Sequence, residues 1–131
     1  MTDAVFNVHG LREDDDIEAK RAAGRDGRGA LPADVWETYS AFANSNGGII
    51  LLGVAEKDER FVVTGIAEPD RVLKELWDGL NNPQKVSRNL LDTDDVRRLS
   101  SGEGRWVIEI VVPRADRKER PVFINGNPLT G

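Results

Sequence analysis

The chain has 131 residues, a length that fits one domain with its own hydrophobic core. It has no cysteine and no apolar run near the roughly 20 residues that cross a bilayer, which argues against disulfides, thiolate metal sites and membrane spans and leads us to expect a cytoplasmic protein. Its formal net charge of −5 argues against a uniformly basic face, so a nucleic-acid partner has to be held by local basic patches, by bridging cations or by parts of the protein outside this sequence.

The first feature along the chain is an acidic cluster, EDDDIEAK, at residues 13–20. If this segment is extended, alternation places Glu13 and Ile17 on one side and Glu18 and Lys20 on the other. Clustered carboxylates can bind a hard cation such as Mg²⁺ together with phosphate oxygens, and an adjacent lysine can contact a phosphate. The alternative is a solvated acidic loop that only aids solubility.

A basic, glycine-rich segment follows directly. Arg21, Arg25 and Arg28 are interleaved with glycines at 24, 27 and 29. Arginine forks and exposed backbone N–H groups can wrap a phosphate backbone. The same composition is typical of a linker without fixed structure, and both interpretations stay open.

The central part of the chain predicts a helix, a strand and a hairpin. Residues 31–46 show helical spacing of apolar side chains, begin with a proline in the first turn and end at Asn-Gly-Gly, which supplies a left-handed residue. The run IILLGV, residues 49–54, predicts a strand covered on both faces. We expect it to form a hairpin with the second strand, FVVTGI, across the polar turn between them.

The remaining elements complete a mixed α/β pattern. Residues 68–80 predict an amphipathic helix, and DTDDVRRLSSGEG predicts a short helix or a polar loop. Residues 105–113 predict the clearest strand, with Trp106 and every second residue after it on one face. A charged turn and a last strand, PVFIN, follow. The fold class expected is α/β (α+β), a mixed β-sheet with two main helices packed on it in a single domain.

Common catalytic motifs are missing from the sequence. It has no P-loop, no Rossmann fingerprint, no hydrolase triad and no metalloprotease helix. Its three tryptophans lie on apolar faces and are interpreted as core residues. The residues alone therefore lead to a soluble α/β domain with one unusual acidic cluster.

A combination of motifs resembles a known family. An acidic pair ending in Glu-x-Lys, a glycine-containing gap, AFANSNGG, IILLGV and VVTGI are similar, over residues 13–66, to the divergent AlbA-type domain of the Schlafen family. The segments VIEIVVP and RPVFING are similar to the later strands of that family. The AFANSNGG–GV block is the specific part of the resemblance.

The resemblance implies a nucleic-acid (DNA) binding module of a transcriptional regulator. On this basis residues 1–131 are expected to be one AlbA-like domain, the N-terminal part of a longer protein. In Schlafen nucleases three acidic residues of this domain form a divalent-metal-dependent RNA-cleaving site. By the motif they correspond here to Glu13, Glu18 and Glu56, with Asp58 as a second choice for the third, and Lys20 corresponds to the family lysine.

Three hypotheses follow. The first is DNA or RNA binding through Lys20 and the three arginines of the glycine-rich segment. The second is a nuclease that cleaves RNA or single-stranded nucleic acid, with Glu13, Glu18 and Glu56 holding Mg²⁺ or Mn²⁺. The third is a protein-interaction or oligomerisation domain, such as a homodimer, which the acidic composition favours.

Overall fold

A computed structural model describes residues 16–22, 29–58, 60–102 and 105–124. The expected architecture is confirmed: mixed β-structure carries two helices, in the manner of one α+β domain. In chain order the elements are β1 (Ile17–Lys20), α1 (Val35–Ala43), β2 (Gly48–Leu52), β3 (Val54–Lys57), β4 (Arg60–Val63), α2 (Pro69–Leu80), β5 (Val96–Gly102) and β6 (Arg105–Val112). None of the helices in these ranges is long and apolar enough to span a bilayer.

Strand β2 is at the centre of a four-stranded sheet with the order β1-β2-β6-β5. It pairs in parallel with β1 and antiparallel with β6, so both of its backbone edges are hydrogen-bonded. Ile50, Leu51 and Leu52 have no exposed surface. The uninterrupted apolar run predicted a strand covered on both faces, and the structure confirms it.

A hairpin is present, but its first strand is not the one predicted from the sequence. The run IILLGV is not one strand, because the chain turns at Gly53 with φ +84° and starts β3 as a separate strand. A Cβ at Gly53 would lie 2.8 Å from a side-chain carbon of Ile66, so only glycine fits this break. The hairpin joins β3 to β4, with Val54 opposite Val63 and Asp58 in the tight turn at φ 51°.

Two clusters of buried side chains lie on opposite faces of the four-stranded sheet. The larger one, between the sheet and the helices, includes Ile108, Ile110 and Val112 of β6. The smaller one contains Leu51, Val54 and Val107, with side chains of β4 packed against it. The alternation predicted for β6 is therefore confirmed, and the hairpin covers the face that the helices leave open.

Three boundaries differ from the sequence-based prediction. Helix α1 begins at Val35 instead of residue 31, because Pro32–Asp34 form a turn in which the Val35 N–H bonds the Pro32 carbonyl at 3.2 Å. The segment predicted as a helix or polar loop is a 3₁₀ turn at Thr93–Asp95 followed by β5, which β6 stabilises through an antiparallel ladder whose register shifts between Ser100 and Gly102. PVFIN forms no strand and makes one isolated bridge, from Ile124 to Val86.

The backbone of Val122, in this last segment, is hydrogen-bonded by side chains at the carboxyl end of α1 and not by a strand. The side-chain oxygen of Asn44 accepts the Val122 N–H at 2.7 Å, and its amide nitrogen donates to the Val122 carbonyl at 3.0 Å. The buried hydroxyl of Ser40 donates to the same carbonyl at 2.8 Å. These bonds satisfy the N–H and the carbonyl of a buried residue that lies in no strand, so this part of the last segment needs no sheet partner.

The predicted left-handed residue after α1 is Gly47, with φ +83°. Its N–H bonds the Phe42 carbonyl at 2.8 Å and closes the end of the helix. A Cβ at this position would lie 2.6 Å from the Val112 carbonyl oxygen and 3.1 Å from the Arg114 nitrogen. Gly47 therefore lets the chain that leaves β6 pass directly over the turn.

We predict that Asn44→Ala lowers the free energy of unfolding by about 1–3 kcal/mol, because it leaves the N–H of the buried Val122 without its acceptor, while Ser40 still donates to the Val122 carbonyl. Urea unfolding followed by circular dichroism measures the change. Asn46→Ala is the matched control, since Asn46 is exposed two residues later and should change stability by less than about 0.5 kcal/mol. Equal stability of the two variants would show that the Asn44 bonds are not needed.

Candidate functional site

Strand β1 contains the last four residues of the acidic cluster, and Asp16 directly precedes it. Its parallel register sets Glu18 beside Ile50, which belongs to the core under the helices, and Ala19 beside Leu51, which belongs to the core under the hairpin. Neighbouring residues in register share a face of the sheet. Glu18 and Lys20 are thus on one face and Ile17 and Ala19 on the other, as the predicted alternation requires.

Lys20 is engaged within the fold. Its ammonium lies 3.2 Å from a carboxylate oxygen of Asp34, the residue before α1, and only 10% of its side chain is exposed. The aliphatic part of the side chain is covered by the fold, while the ammonium group reaches the exposed carboxylate of Asp34. The pair connects β1 to the start of α1, so this lysine has a structural contact in addition to the phosphate-binding role predicted for it.

The break at Gly53 brings the candidate acids onto neighbouring strands. The Gly53 N–H bonds the Lys20 carbonyl at 2.8 Å, so β3 starts beside the end of β1, and the two strands are in contact. Glu18 on β1 and Glu56 on β3 are both exposed. Two of the three predicted carboxylates therefore lie on strands that belong to different sheets and are in contact, while Glu13 lies outside the described residues.

The described carboxylates do not by themselves form a metal centre. No group of three or more histidine, cysteine or acidic side chains with metal-binding geometry occurs in residues 16–22, 29–58, 60–102 and 105–124. The donors that are present, Glu18 and Glu56, are oxygen ligands of the kind that Mg²⁺ and Mn²⁺ prefer. Asp58 lies at the tip of the hairpin. A three-carboxylate site stays a prediction that needs Glu13.

The basic segment begins where β1 ends. Arg21 is exposed and directly follows the buried end of the strand, and Ala22 is again buried in the main core. Arg25 and Arg28 lie outside the described residues. The structure thus shows that the basic segment is attached to the end of β1 through Ala22. The phosphate contacts of its arginines stay a prediction.

A second basic segment, which the sequence analysis treated only as a charged turn, follows β6. The Ala115 N–H bonds the Ala43 carbonyl at the end of α1 at 2.8 Å. The N–H groups of Glu119 and Arg120 bond the Asp116 carbonyl at 2.9 and 3.0 Å and form one helical turn. The signal in the sequence was the excess of Arg and Lys in RADRKER.

Tyr39 of α1 fixes residues 88–90 beside this second basic segment. Its buried hydroxyl donates to the Arg88 carbonyl at 2.8 Å and accepts the Leu90 N–H at 2.9 Å. Burial raises the pKa of Tyr39 to about 12, with the charge of Glu119 adding to the shift and the Leu90 bond opposing it. The phenol is therefore a neutral tether between the helix and residues 88–90.

Comparison with known proteins agrees with this geometry. A family model described as Schlafen, AlbA_2 matches residues 13–127. The chain is also similar to the solution NMR structure of the N-terminal domain of a protein from Nitrosomonas europaea that is described as related to the ATP-dependent DNA helicase RecG. That likeness has 28% sequence identity and a TM-score of 0.66 and covers 95% of this chain and 79% of the other. Among curated proteins, none matches this chain.

Tyr39 is the single tyrosine of the chain, so its ionisation can be followed directly by ultraviolet absorbance of tyrosinate. Its pKa is raised by folding, so the stability that the neutral phenol contributes is complete below pH 10 and is lost as the pH rises from about 10 to about 12. We predict that the folded protein titrates near pH 12 and that unfolding accompanies the titration. A midpoint near 10.0 in folded protein, equal to that in denaturant, would contradict the buried tether.

Proposed function

This chain belongs to the Schlafen, AlbA_2 family, and from that membership we propose that it is the nucleic-acid-binding module of a transcriptional regulator. The similar N-terminal domain from Nitrosomonas europaea belongs to a protein described as helicase-related, which supports a role on nucleic acid. DNA and RNA share the phosphodiester backbone that such a module recognises.

The observation that carries the proposal is the fixed exit of β1 into the arginine-glycine segment. The parallel ladder to β2, the Lys20–Asp34 ion pair and the buried Ala22 hold the end of the strand. Exposed Arg21 opens a segment whose next cations in sequence are Arg25 and Arg28. An arginine that directly follows a fixed strand end, as Arg21 does, loses less freedom on binding phosphate than the same residue on a free chain.

We predict that the triple variant Arg21→Ala, Arg25→Ala, Arg28→Ala binds nucleic acid at least about tenfold more weakly at low salt and with a flatter salt dependence, because each lost phosphate contact removes about 0.7–0.9 from the slope. Fluorescence anisotropy with labelled single-stranded RNA and duplex DNA measures both quantities. The control replaces Lys57, Arg71 and Lys74, three exposed cations on β3 and α2, with alanine.

The control has the same net charge and should bind within about twofold of the unchanged chain. Equal weakening of both variants would mean that only net charge matters. A chain that binds no nucleic acid at low salt, even with divalent cations present, would overturn the proposal and favour a protein-interaction role.

A second candidate function is divalent-metal-dependent cleavage of RNA or single-stranded nucleic acid. It is supported by the contact between β1, which carries the exposed Glu18, and β3, which carries the exposed Glu56. Together with Glu13 they would supply the carboxylate oxygens for Mg²⁺ or Mn²⁺. Such ions activate the attacking water and stabilise the leaving oxygen in phosphodiester hydrolysis.

We predict that any Mn²⁺-dependent cleavage of single-stranded RNA falls by about 100-fold or more in Glu18→Gln, because the amide is a poorer ligand for a hard cation. Glu37→Gln removes an exposed carboxylate from the first turn of α1 and is the control that should leave the rate unchanged. Full cleavage by Glu18→Gln, or no cleavage by the unchanged chain with either metal, would rule this activity out.

A further inference from the structure

The described surface contains a concentration of positive charge that the glycine-rich segment does not include. We propose that residues 114–120 together with Arg88, here called the basic loop, form a contact surface for the phosphodiester backbone of nucleic acid. This inference rests on the proposed function and assigns it a second, structurally defined surface.

The basic loop is strongly cationic within an acidic chain. Residues 114–120 contain Arg114, Arg117, Lys118 and Arg120, and Arg88 is the fifth cation. Its two carboxylates are Asp116 and Glu119. Five cations against two anions give a local excess of three positive charges, in a chain with a formal net charge of −5. A local patch of this kind is what an acidic protein needs to bind nucleic acid.

Helix α1 holds both ends of the loop. The Ala115 N–H bonds the last carbonyl of the helix, from Ala43, and Ala115 is buried. Past the other end, both backbone groups of Val122 bond the side chain of Asn44. The cations between these two anchors are therefore displayed from a fixed backbone, which lowers the entropy lost on binding.

The same helix brings Arg88 to the loop. Tyr39 bonds the Arg88 carbonyl at 2.8 Å, and Ser87 bonds the backbone of Phe123 in both directions at 3.0 and 2.8 Å. Residues 86–88 thus run antiparallel to 122–124, directly after the loop. Arg88 is exposed, as are Arg114, Arg117 and Lys118.

The loop carboxylates compete little with a phosphate for these cations. A carboxylate oxygen of Glu119 accepts the Asp116 N–H at 3.1 Å, so it closes the turn, and its charge also acts on the buried Tyr39. Within the part of the chain that the structure describes, none of the five cations forms an ion pair. By contrast, Arg71 and Lys74 on α2 are paired with Glu75 and Asp78.

A purely structural reason for the cations would be the carboxyl end of α1, whose last turn has no basic residue of its own. Cations near a helix carboxyl end stabilise it through the dipole. Here, however, the last carbonyl is satisfied by a backbone N–H, from Ala115, and α1 residues receive no described bond from a cationic side chain of the loop. The exposed side chains are left available for a ligand.

The chemistry favours nucleic acid over an anionic membrane. Four of the five cations are arginines, whose planar forks match phosphate oxygens in pairs. A membrane-binding loop would also present large apolar side chains for insertion. The large hydrophobic residues that are exposed in the described ranges are Val62 and Val111, and neither belongs to the loop.

The test compares Arg117→Gln/Lys118→Gln with the matched control Arg71→Gln/Lys74→Gln, which removes the same charge from α2. Anisotropy titrations with single-stranded RNA and with duplex DNA, over a series of salt concentrations, report affinity and salt slope. We expect the loop variant to bind at least about tenfold more weakly and to lose about 1.4 from the slope on single strands or 1.8 on duplex, while the control stays within about twofold. Thermal unfolding should change little in either variant, since all four side chains are exposed and the surface ion pairs of Arg71 and Lys74 contribute little to stability.

The outcomes separate the inference from the proposed function. If the unchanged chain binds and the loop variant binds as tightly as the control, the basic loop is not a contact surface although the proposed function stands. If the unchanged chain binds neither nucleic acid, both fail. If the loop variant loses binding to vesicles of equal parts phosphatidylserine and phosphatidylcholine but not to nucleic acid, the surface is for anionic lipid and the inference is overturned. A loss on RNA alone or duplex alone supports it and identifies the nucleic acid.

Discussion

The bonds between the Asn44 side chain and both backbone groups of Val122 are the constraint on which the rest of the molecule depends. They attach the segment after β6 to the end of α1 where no strand is available to pair with it. Because Ser40 and Tyr39 on the same helix bond the Val122 and Arg88 backbones, one face of α1 fixes two irregular segments at once. A buried peptide group without such partners would cost more than one ordinary hydrogen bond.

The residues that identify the family are mainly structural in this fold. In AFANSNGG the asparagine after the helix binds Val122, Gly47 makes room for the chain leaving β6, and the ring of Phe42 packs on Gly48, where a Cβ would lie 2.7 Å from it. The candidate chemistry lies elsewhere, on β1, on β3 and on the basic segments. Similarity in this block therefore establishes the fold firmly, and function has to be argued from the exposed acids and cations.

The cations that the structure describes fall into two groups, those paired with carboxylates inside the fold and those exposed without an ion pair. Lys20, at the end of β1, is only 10% exposed and is paired with Asp34, and the cations of α2 and β5 have carboxylate partners. The positive charge that remains exposed and unpaired in the described ranges includes Arg21, after β1, and the basic loop after β6. An overall acidic chain can thus present cationic surfaces, because binding responds to the local field within about a Debye length and much less to the net charge.

The sequence by itself determined what depends on local pattern: the buried β2, the amphipathic α2, the alternation along β6, the left-handed Gly47 and the family resemblance. Only the tertiary structure decided features that depend on distant partners. A polar segment forms β5 because β6 supplies its ladder, the break at position 53 has to be glycine because Ile66 fills the space beside it, and PVFIN forms no strand, with its Val122 backbone bonded to Asn44 instead. In the same way, Lys20 was predicted to bind phosphate, and in the structure it forms an ion pair with Asp34, fourteen residues later in the chain. Local periodicity reports which face a residue prefers, whereas long-range packing chooses the partner.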